Sequence, residues 1–506
     1  MLLTFTTVPA QNAANQSDWR LIENTIQLYF DGWATGDTTK LDKAMHFSCR
    51  LKNFRDGKFL EYDKATYLGF FKPRPRPQNL QTRIVSIDIT DNIGSAKTEI
   101  ITEKEVFTDY FNLMKTGEGW FIVDKVAVRT PKNSGDVVRQ IKSESSVKPE
   151  KEVVLENLKR PWSIAFLTED EALVAEKEGD LVKVNLATKQ KVKIKGFPDD
   201  VADQIGAVHR GDNAGIFEVL IDPDYNQNKF VYVSYAARSE QGTTTKFIRG
   251  VLENDSLSRV QTLFTATPYT SERYHYGGGM TFGRDGKLYL TVGERLFREI
   301  DEPALPIAQN IEDKRGKIYR LNPDGSVPKD NPDFGAKAVP GLYALGIRAA
   351  QGITVEPGTN KIWFSEHGTF QGDEINVLKA RANYGWSIKT TGKYRSDDYV
   401  PPQPAKDTAF TDPAWFWLQT VAPTGLVFYT GDEFPLWKNN LFVAGLARGS
   451  LWRFKIEGET IKSVEELFVE DRVRLRKVAI SPTGKLYVLT DEMNGKVIRI
   501  KNANVT

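Results

Sequence analysis

A chain of 506 residues is longer than one hydrophobic core commonly organises, so two or more domains are expected. Its 68 basic and 66 acidic residues nearly cancel, and no basic block with interleaved aromatics is present, which argues against a nucleic-acid partner. The single cysteine, Cys49, excludes an internal disulfide framework and a cysteine-based zinc cluster, and no stretch is long and apolar enough to span a membrane as a helix.

Residues 1–14 open apolar and turn small, with Val8-Pro9-Ala10 placed as in the tail of an export signal that lacks its basic start. A frayed terminus is the alternative. From Ser17 to Trp33 the residues Leu21, Ile22, Ile26, Tyr29, Phe30 and Trp33 recur at helical spacing, with Ser17 as N-cap and Gly36 beyond the end. A second short helix near Lys40 to Met45 is followed by alternating strands around Ile84 to Ile89, Ser95 to Phe107 and Trp120 to Val128. Helices followed by an antiparallel sheet predict an α+β domain over residues 15–130. This order, with Tyr29-Phe30-Asp31-Gly32-Trp33-Ala34-Thr35-Gly36-Asp37, resembles the cone-shaped nuclear-transport-factor-2-like domains of the lumazine-binding type. His46 and Asp31 read as structural polar residues near helix ends, and no chemistry is assigned to this domain. Residues 131–152, rich in Lys, Ser and Glu and broken by Pro131, Gly135 and Pro149, read as a linker.

Beyond the linker one pattern returns six times: an apolar strand, a turn, then a second strand rich in β-branched and aromatic residues. The copies begin at Pro161, Gly215, Gly278, Gln351, Thr424 and Arg476. Six copies over residues 153–502 predict a six-bladed β-propeller, so the chain as a whole is mainly β. Long insertions between the third and fifth copies suggest loops elaborated on one face to build a site.

The third copy carries the most informative residues. His275 leads through Gly277-Gly278-Gly279 into an alternating strand, and the next strand ends on Glu294. A carboxylate on one imidazole nitrogen fixes the tautomer and raises the basicity of the other, so His275 is a candidate general base; a structural histidine beside a Gly-rich turn is the alternative. Arg474 and Arg476, two apart on a strand, share a face and can hold carboxylates with paired hydrogen bonds, although such a basic run also suits a solvated edge.

Taken in order, His275 to Glu294, Gly316-Lys317-Ile318-Tyr319-Arg320-Leu321-Asn322, Leu345-Gly346-Ile347-Arg348, Ser365-Glu366-His367-Gly368-Thr369 with Gly372-Asp373-Glu374-Ile375-Asn376, Asn383-Tyr384-Gly385-Trp386 and Val473-Arg474-Leu475-Arg476 resemble the soluble pyrroloquinoline-quinone (PQQ)-dependent glucose and aldose sugar dehydrogenases. The resemblance implies a quinoprotein that oxidises the anomeric carbon of aldoses to lactones. His275 would be the base, Glu294 its orienting acid and Arg348 the cation facing the quinone oxygen. It further implies a calcium ion on the carbonyls of Gly368 and Thr369, a second, structural calcium at Glu374 and the carbonyl of Tyr384, and cofactor contacts from Arg474 and Arg476. The sequence departs from the family at three positions: Ala349 stands for an asparagine, Ala447 for a cofactor-facing lysine that Arg448 could replace, and Asn213 for a glutamine. These departures keep open a non-catalytic propeller that binds glycan or protein, and a calcium-dependent lactonase is the third reading. The expectation is a periplasmic or secreted protein, monomeric or homodimeric, with an aldose substrate and an electron acceptor that the residues do not specify.

Overall fold

The computed structural model describes residues 10–55, 58–77, 80–102, 105–131, 147–202, 212–369, 372–392, 394–396, 398–406, 408–417 and 419–504. Two compact units divide at Gln140. Residues 1–9 and 132–146, and with them most of the expected export remnant and linker, lie outside the described residues.

The first unit runs α1 (Ala10–Thr35), α2 (Thr38–Ala44), β1 (Met45–Arg55), β2 (Lys58–Asp63), α3 (Lys64–Leu68), β3 (Gln81–Thr90), β4 (Ile93–Ile101), β5 (Glu105–Thr116) and β6 (Gly119–Pro131). The strands form one sheet in the order β2-β1-β6-β5-β4-β3, antiparallel except where β1 meets β6. Helical spacing places Ile22, Ile26, Tyr29, Phe30 and Ala34 of α1 in a core with Ile100, Phe111, Leu113, Trp120 and Ile122 of the sheet. Gly36 turns the chain at φ 69°, and a Cβ there would meet the Lys72 carbonyl oxygen at 1.9 Å. Asp37 then caps α2 by accepting from Thr39 and Lys40 N–H. The sequence reading missed β1, β2 and α3, and the expected strand Ser95 to Phe107 is two strands, β4 and β5. His46 lies on β1 with Nδ1 2.7 Å from Ser48 Oγ, and Asp31 pairs with Arg76 at 3.1 Å. Neither is part of a catalytic arrangement with the other.

The second unit is a ring of six four-stranded antiparallel sheets. Each expected repeat start falls on or directly before an innermost strand: Pro161–Phe166, Ile216–Ile221, Gly277–Phe282, Ala350–Val355, Pro423–Phe428 and Leu475–Ile480 define blades 1 to 6. These strands adjoin in sequence, and blade 6 meets blade 1 to close the ring. Blade 6 takes its outermost strand from the start of the unit: β7 (Pro149–Leu158) pairs antiparallel with Gly495–Asn502. Pro149 to Glu152, expected in the linker, therefore belong to the propeller sheet; the apolar residues that signal the strand, Val153 to Leu158, follow a polar lead-in. Buried hydroxyls bridge neighbouring blades. Ser163 donates to Phe217 O at 2.7 Å, Thr291 to Ala350 O at 2.8 Å, Ser365 to Thr424 O at 2.6 Å and Thr424 to Arg476 O at 2.6 Å. Each satisfies an inner-strand carbonyl that the ring's interior would otherwise leave unpaired.

Candidate active site

In every blade the first strand runs antiparallel to the second, so the residues before the first strand and those after the second lie at the same end of the ring. His275, Arg348 and Arg474 precede or open first strands; Lys177, Glu294, His367, Gly368 and Asp491 follow second strands. Residues distant in sequence are thus gathered at one face by the repeat itself.

His275 takes φ 49°, in the left-handed region, two residues before the first strand of blade 3. Gly293, between the second strand of blade 3 and Glu294, makes a close approach possible: a Cβ there would stand 1.9 Å from His275 O and 3.1 Å from Arg348 O. His275 Nδ1 is 2.9 Å from Glu294 Oε1, and Nε2 is 3.1 Å from Arg348 Nη2. Arginine has only donors, so Nε2 must present a lone pair and the ring proton sits on Nδ1, donated to Glu294. Burial, reinforced by the charges of Arg348, Arg395 and Arg295, holds His275 well below the usual imidazole range, so it is neutral at pH 7. Glu294 is 1% exposed, and burial pushes its carboxyl up to about 8 against the opposing charge of Arg348. Its second oxygen has no hydrogen-bond partner among the described residues.

This arrangement fixes two signs for Glu294→Gln. The folded carboxyl titrates near 8 and the unfolded one near its model value of 4.5, so the folded state binds more protons between those limits and loses stability as pH rises through them. The amide removes that loss, and the variant's thermal midpoint at pH 8 and above is expected to exceed the parent's. The amide oxygen still accepts from Nδ1 but carries no charge to strengthen Nε2. Activity is expected to fall about 10–100-fold, with the rise in kcat/KM through about pH 8 abolished. A variant that keeps that rise would assign it to another group.

Arg348 is 3% exposed. Its Nη1 donates to Gly368 O at 2.5 Å and His367 O at 3.2 Å, its guanidinium lies 5.2 Å from the centroid of Trp386, and its backbone N–H donates to Glu366. The loop bearing Gly368 is tied by Asp373, whose Oδ1 accepts from Gly368 N–H at 2.8 Å and whose Oδ2 accepts from Val421 and Ala422 N–H at 2.7 Å each. Thr369 follows on the same loop. His275, Glu294, Arg348 and Gly368 therefore form one connected group.

Arg474 and Arg476 form a second group with two residues that the sequence reading missed. Arg474 Nη2 and Arg476 Nη2 both reach Asp491 Oδ2, at 2.9 and 3.0 Å, and Lys177 Nζ lies 3.3 Å from Asp491 Oδ1. Arg476 also donates to Gln351 Oε1 at 2.8 Å. Burial alone would raise the Asp491 carboxyl, but Arg476, Lys177 and Arg474 together hold it far below the usual carboxylate range. The signal for Lys177 and Asp491 was in the repeat: both come directly after a second strand, as His367 does in blade 4.

Among the described residues, the remaining expected ones make no hydrogen bond to either group. Arg448 Nε donates to Glu466 Oε1 at 2.8 Å on the outermost strand of its own blade. Ala447 is exposed, whereas Ala349 is fully buried and its carbonyl accepts from His367 N–H at 3.2 Å. Asn213 donates its N–H to Arg273 O at 3.0 Å, beside the Asp212–Arg273 ion pair. Glu374 accepts from Thr391 Oγ1 at 2.7 Å and Asn376 Nδ2 at 3.1 Å; the Tyr384 hydroxyl donates to Val377 O at 2.6 Å, leaving only its carbonyl for a cation. Among the described residues no three His, Cys, Asp or Glu side chains group to hold a metal, so a cation here would depend on carbonyl oxygens.

Comparison with known proteins bears on the family and the fold. Residues 158–499 match the sequence model of the family described as "Glucose / Sorbosone dehydrogenase", and residues 17–126 match one described as "Putative lumazine-binding". The aldose sugar dehydrogenase of Escherichia coli is 30% identical over 361 residues, covering 70% of this chain and 93% of that protein. The quinoprotein glucose dehydrogenase B of Acinetobacter calcoaceticus is 28% identical over 418 residues, covering 68% and 85%. The crystal structure of the soluble E. coli aldose sugar dehydrogenase in its apo form superposes with a TM-score of 0.63 at 30% identity, over 70% of this chain and all of that one. The PQQ-bound aldose sugar dehydrogenase of Streptomyces coelicolor, at 24% identity and a TM-score of 0.55 over 70% of this chain and 99% of that one, shares the fold. The six-bladed ring and the group around His275 thus sit in a chain that belongs to the glucose/sorbosone dehydrogenase family.

Proposed function

We propose that the second unit is a PQQ-dependent dehydrogenase that oxidises aldoses at the anomeric carbon to lactones, with His275 as general base. The observation that carries this reading is the neutral His275, with its Nδ1 proton on Glu294 and its Nε2 lone pair held by Arg348, a buried arginine able to turn that bond to an anionic ligand. The donor set suits an anionic, multi-carboxylate cofactor: Arg348 Nε and Arg476 Nε are buried with no partner among the described residues, and Arg474 and Arg476 share a single carboxylate oxygen of Asp491. PQQ, when bound, supplies the hydride acceptor.

The chain's residues then have separable tasks. Once Arg348 turns its Nη2 hydrogen bond from His275 to the bound anion, Nε2 takes the proton of the C1 hydroxyl; the O–H electron pair then forms the carbonyl while the C1–H pair leaves as hydride. Glu294 holds the imidazole in the tautomer this needs and stabilises the imidazolium that forms. Arg348, fixed by two carbonyls and Trp386, presents a cation where negative charge develops. The carbonyls of Gly368 and Thr369 offer hard oxygen ligands to calcium, and Glu374 with the Tyr384 carbonyl offers a further pair. Because Gly368 O now accepts from Arg348, a cation there requires Arg348 to transfer that bond to another acceptor, so calcium and anionic cofactor are expected to load together. Apoprotein supplied with PQQ, calcium, a redox dye and a panel of aldoses tests this. Saturable dye reduction is expected, with prior chelation lowering PQQ uptake and calcium restoring it; uptake indifferent to chelation would remove calcium from the site. The relatives' family and the apolar-to-small opening of the chain support a periplasmic or secreted location, which fractionation of the expressing cells tests.

A further inference from the structure

The site contains one buried cation that this reaction scheme has not used. Lys177 follows the second strand of blade 1 and is 4% exposed. Its Nζ lies 3.3 Å from Asp491 Oδ1 and 5.2 Å from the centroid of Trp162. The same indole carries Arg476 on its ring, 4.3 Å from the centroid, and Arg474 completes the group from the exposed side. Among the described residues three cations therefore surround one carboxylate, two of them with side chains no more than 6% exposed. A buried cluster with this surplus of positive charge is unfavourable unless an anion joins it. Asp491 cannot neutralise all three. The cluster connects to the Arg348 loop side through Gln351, which follows Ala350 on the first strand of blade 4 and accepts from Arg476.

We propose that Lys177 is a third cationic anchor for the anionic cofactor, closing with Arg474 and Arg476 a carboxylate seat built on Trp162 and Asp491. This rests on the quinoprotein reading above. The physical consequence is specific. Burial, then the charge of Arg476, pushes Lys177 down to about 7, with Asp491 opposing, so above neutral pH the amine is largely uncharged. Its titratable and charged neighbours are Arg474, Arg476 and Asp491, and only an added anion changes the balance among them. Seating a carboxylate against Nζ favours the ammonium, so docking at pH 8 takes up a proton.

The test is cofactor binding without turnover. PQQ is titrated into calcium-loaded apoprotein at pH 8, following tryptophan fluorescence and, by calorimetry in buffers of different ionisation enthalpy, the protons exchanged. The parent is expected to take up a proton. Lys177→Met should weaken PQQ about 10–100-fold, the scale of one lost charge-assisted hydrogen bond. Lys177→Arg keeps a permanent charge, so it should retain affinity within about threefold and lose the proton uptake; this variant also serves if the methionine protein does not fold. Unchanged affinity and unchanged proton uptake in both variants would overturn the role of Lys177 while leaving the dehydrogenase reading intact. A parent that takes up no PQQ would overturn that reading, and the anchor with it.

Discussion

Replacing His275 with alanine is expected to lower kcat by about 10²–10⁴-fold, the usual contribution of a positioned general base, while PQQ uptake stays within a few-fold of the parent. The separation follows from the geometry. His275 presents Nε2 to Arg348, whereas the proposed carboxylate-binding cations Lys177, Arg474 and Arg476 lie on other blades. Alanine at φ 49° adds a modest backbone penalty, so His275→Asn, a residue that tolerates the left-handed region, is the companion variant. Both should be inactive, and both should keep the parent's fluorescence titration. The parent itself should show no loss of activity attributable to His275 between pH 8 and 6, because its proton is held well below the usual range. Turnover by either variant above about a tenth of the parent rate would remove His275 as the base.

Asp491→Ala is expected to cost about 3–5 kcal/mol of folding free energy, read as a lower denaturant midpoint, because it leaves Lys177, Arg474 and Arg476 facing one another without a counter-charge. The sign with pH is fixed: the Asp491 carboxyl is depressed in the folded protein, so its stabilisation is fully present above the unfolded value of 3.8 and fades only in strong acid. At neutral pH the whole contribution is at risk. The same variant carries an internal control. An anion bound among the three cations stands in for the lost carboxylate, so saturating PQQ should raise the variant's midpoint more than the parent's. Equal shifts in both proteins would separate the cation cluster from the cofactor seat.

Much of the ring could be read in the sequence because it is written six times. One weak strand pattern is ambiguous, but repetition at every innermost strand makes the set diagnostic. The proximity of His275 to Glu294 was also legible, since adjacent antiparallel strands bring their neighbouring ends together. Lys177 and Asp491 were hidden for a different reason: each is an ordinary charged residue at the end of an ordinary strand, and they meet only because blade 6 closes against blade 1. The partner of Arg448 was not legible either: Glu466, on the outermost strand of the same blade, accepts from it, and nothing in the spacing of the two residues signals that pair. In the first unit, β1 and β2 escaped because their outward residues include Phe47, Phe54 and Phe59, while Arg50 and Glu61 form an exposed pair. That mixture erases the apolar-in, polar-out alternation by which a strand is recognised.

The strand exchange between Pro149–Leu158 and Gly495–Asn502 has a consequence for biogenesis. A nascent chain carries its first ring strand for some 340 residues of further synthesis before the partner for that strand exists. Until then the edge of Pro149–Leu158 is unpaired, and Lys177 is separated from the Asp491 it meets in the finished ring. Maturation of the holoprotein therefore awaits synthesis of Gly495–Asn502, and a chain lacking that strand would be a poor acceptor of cofactor even though its proposed base, the acid beside it and all three arginines at the ring face are present.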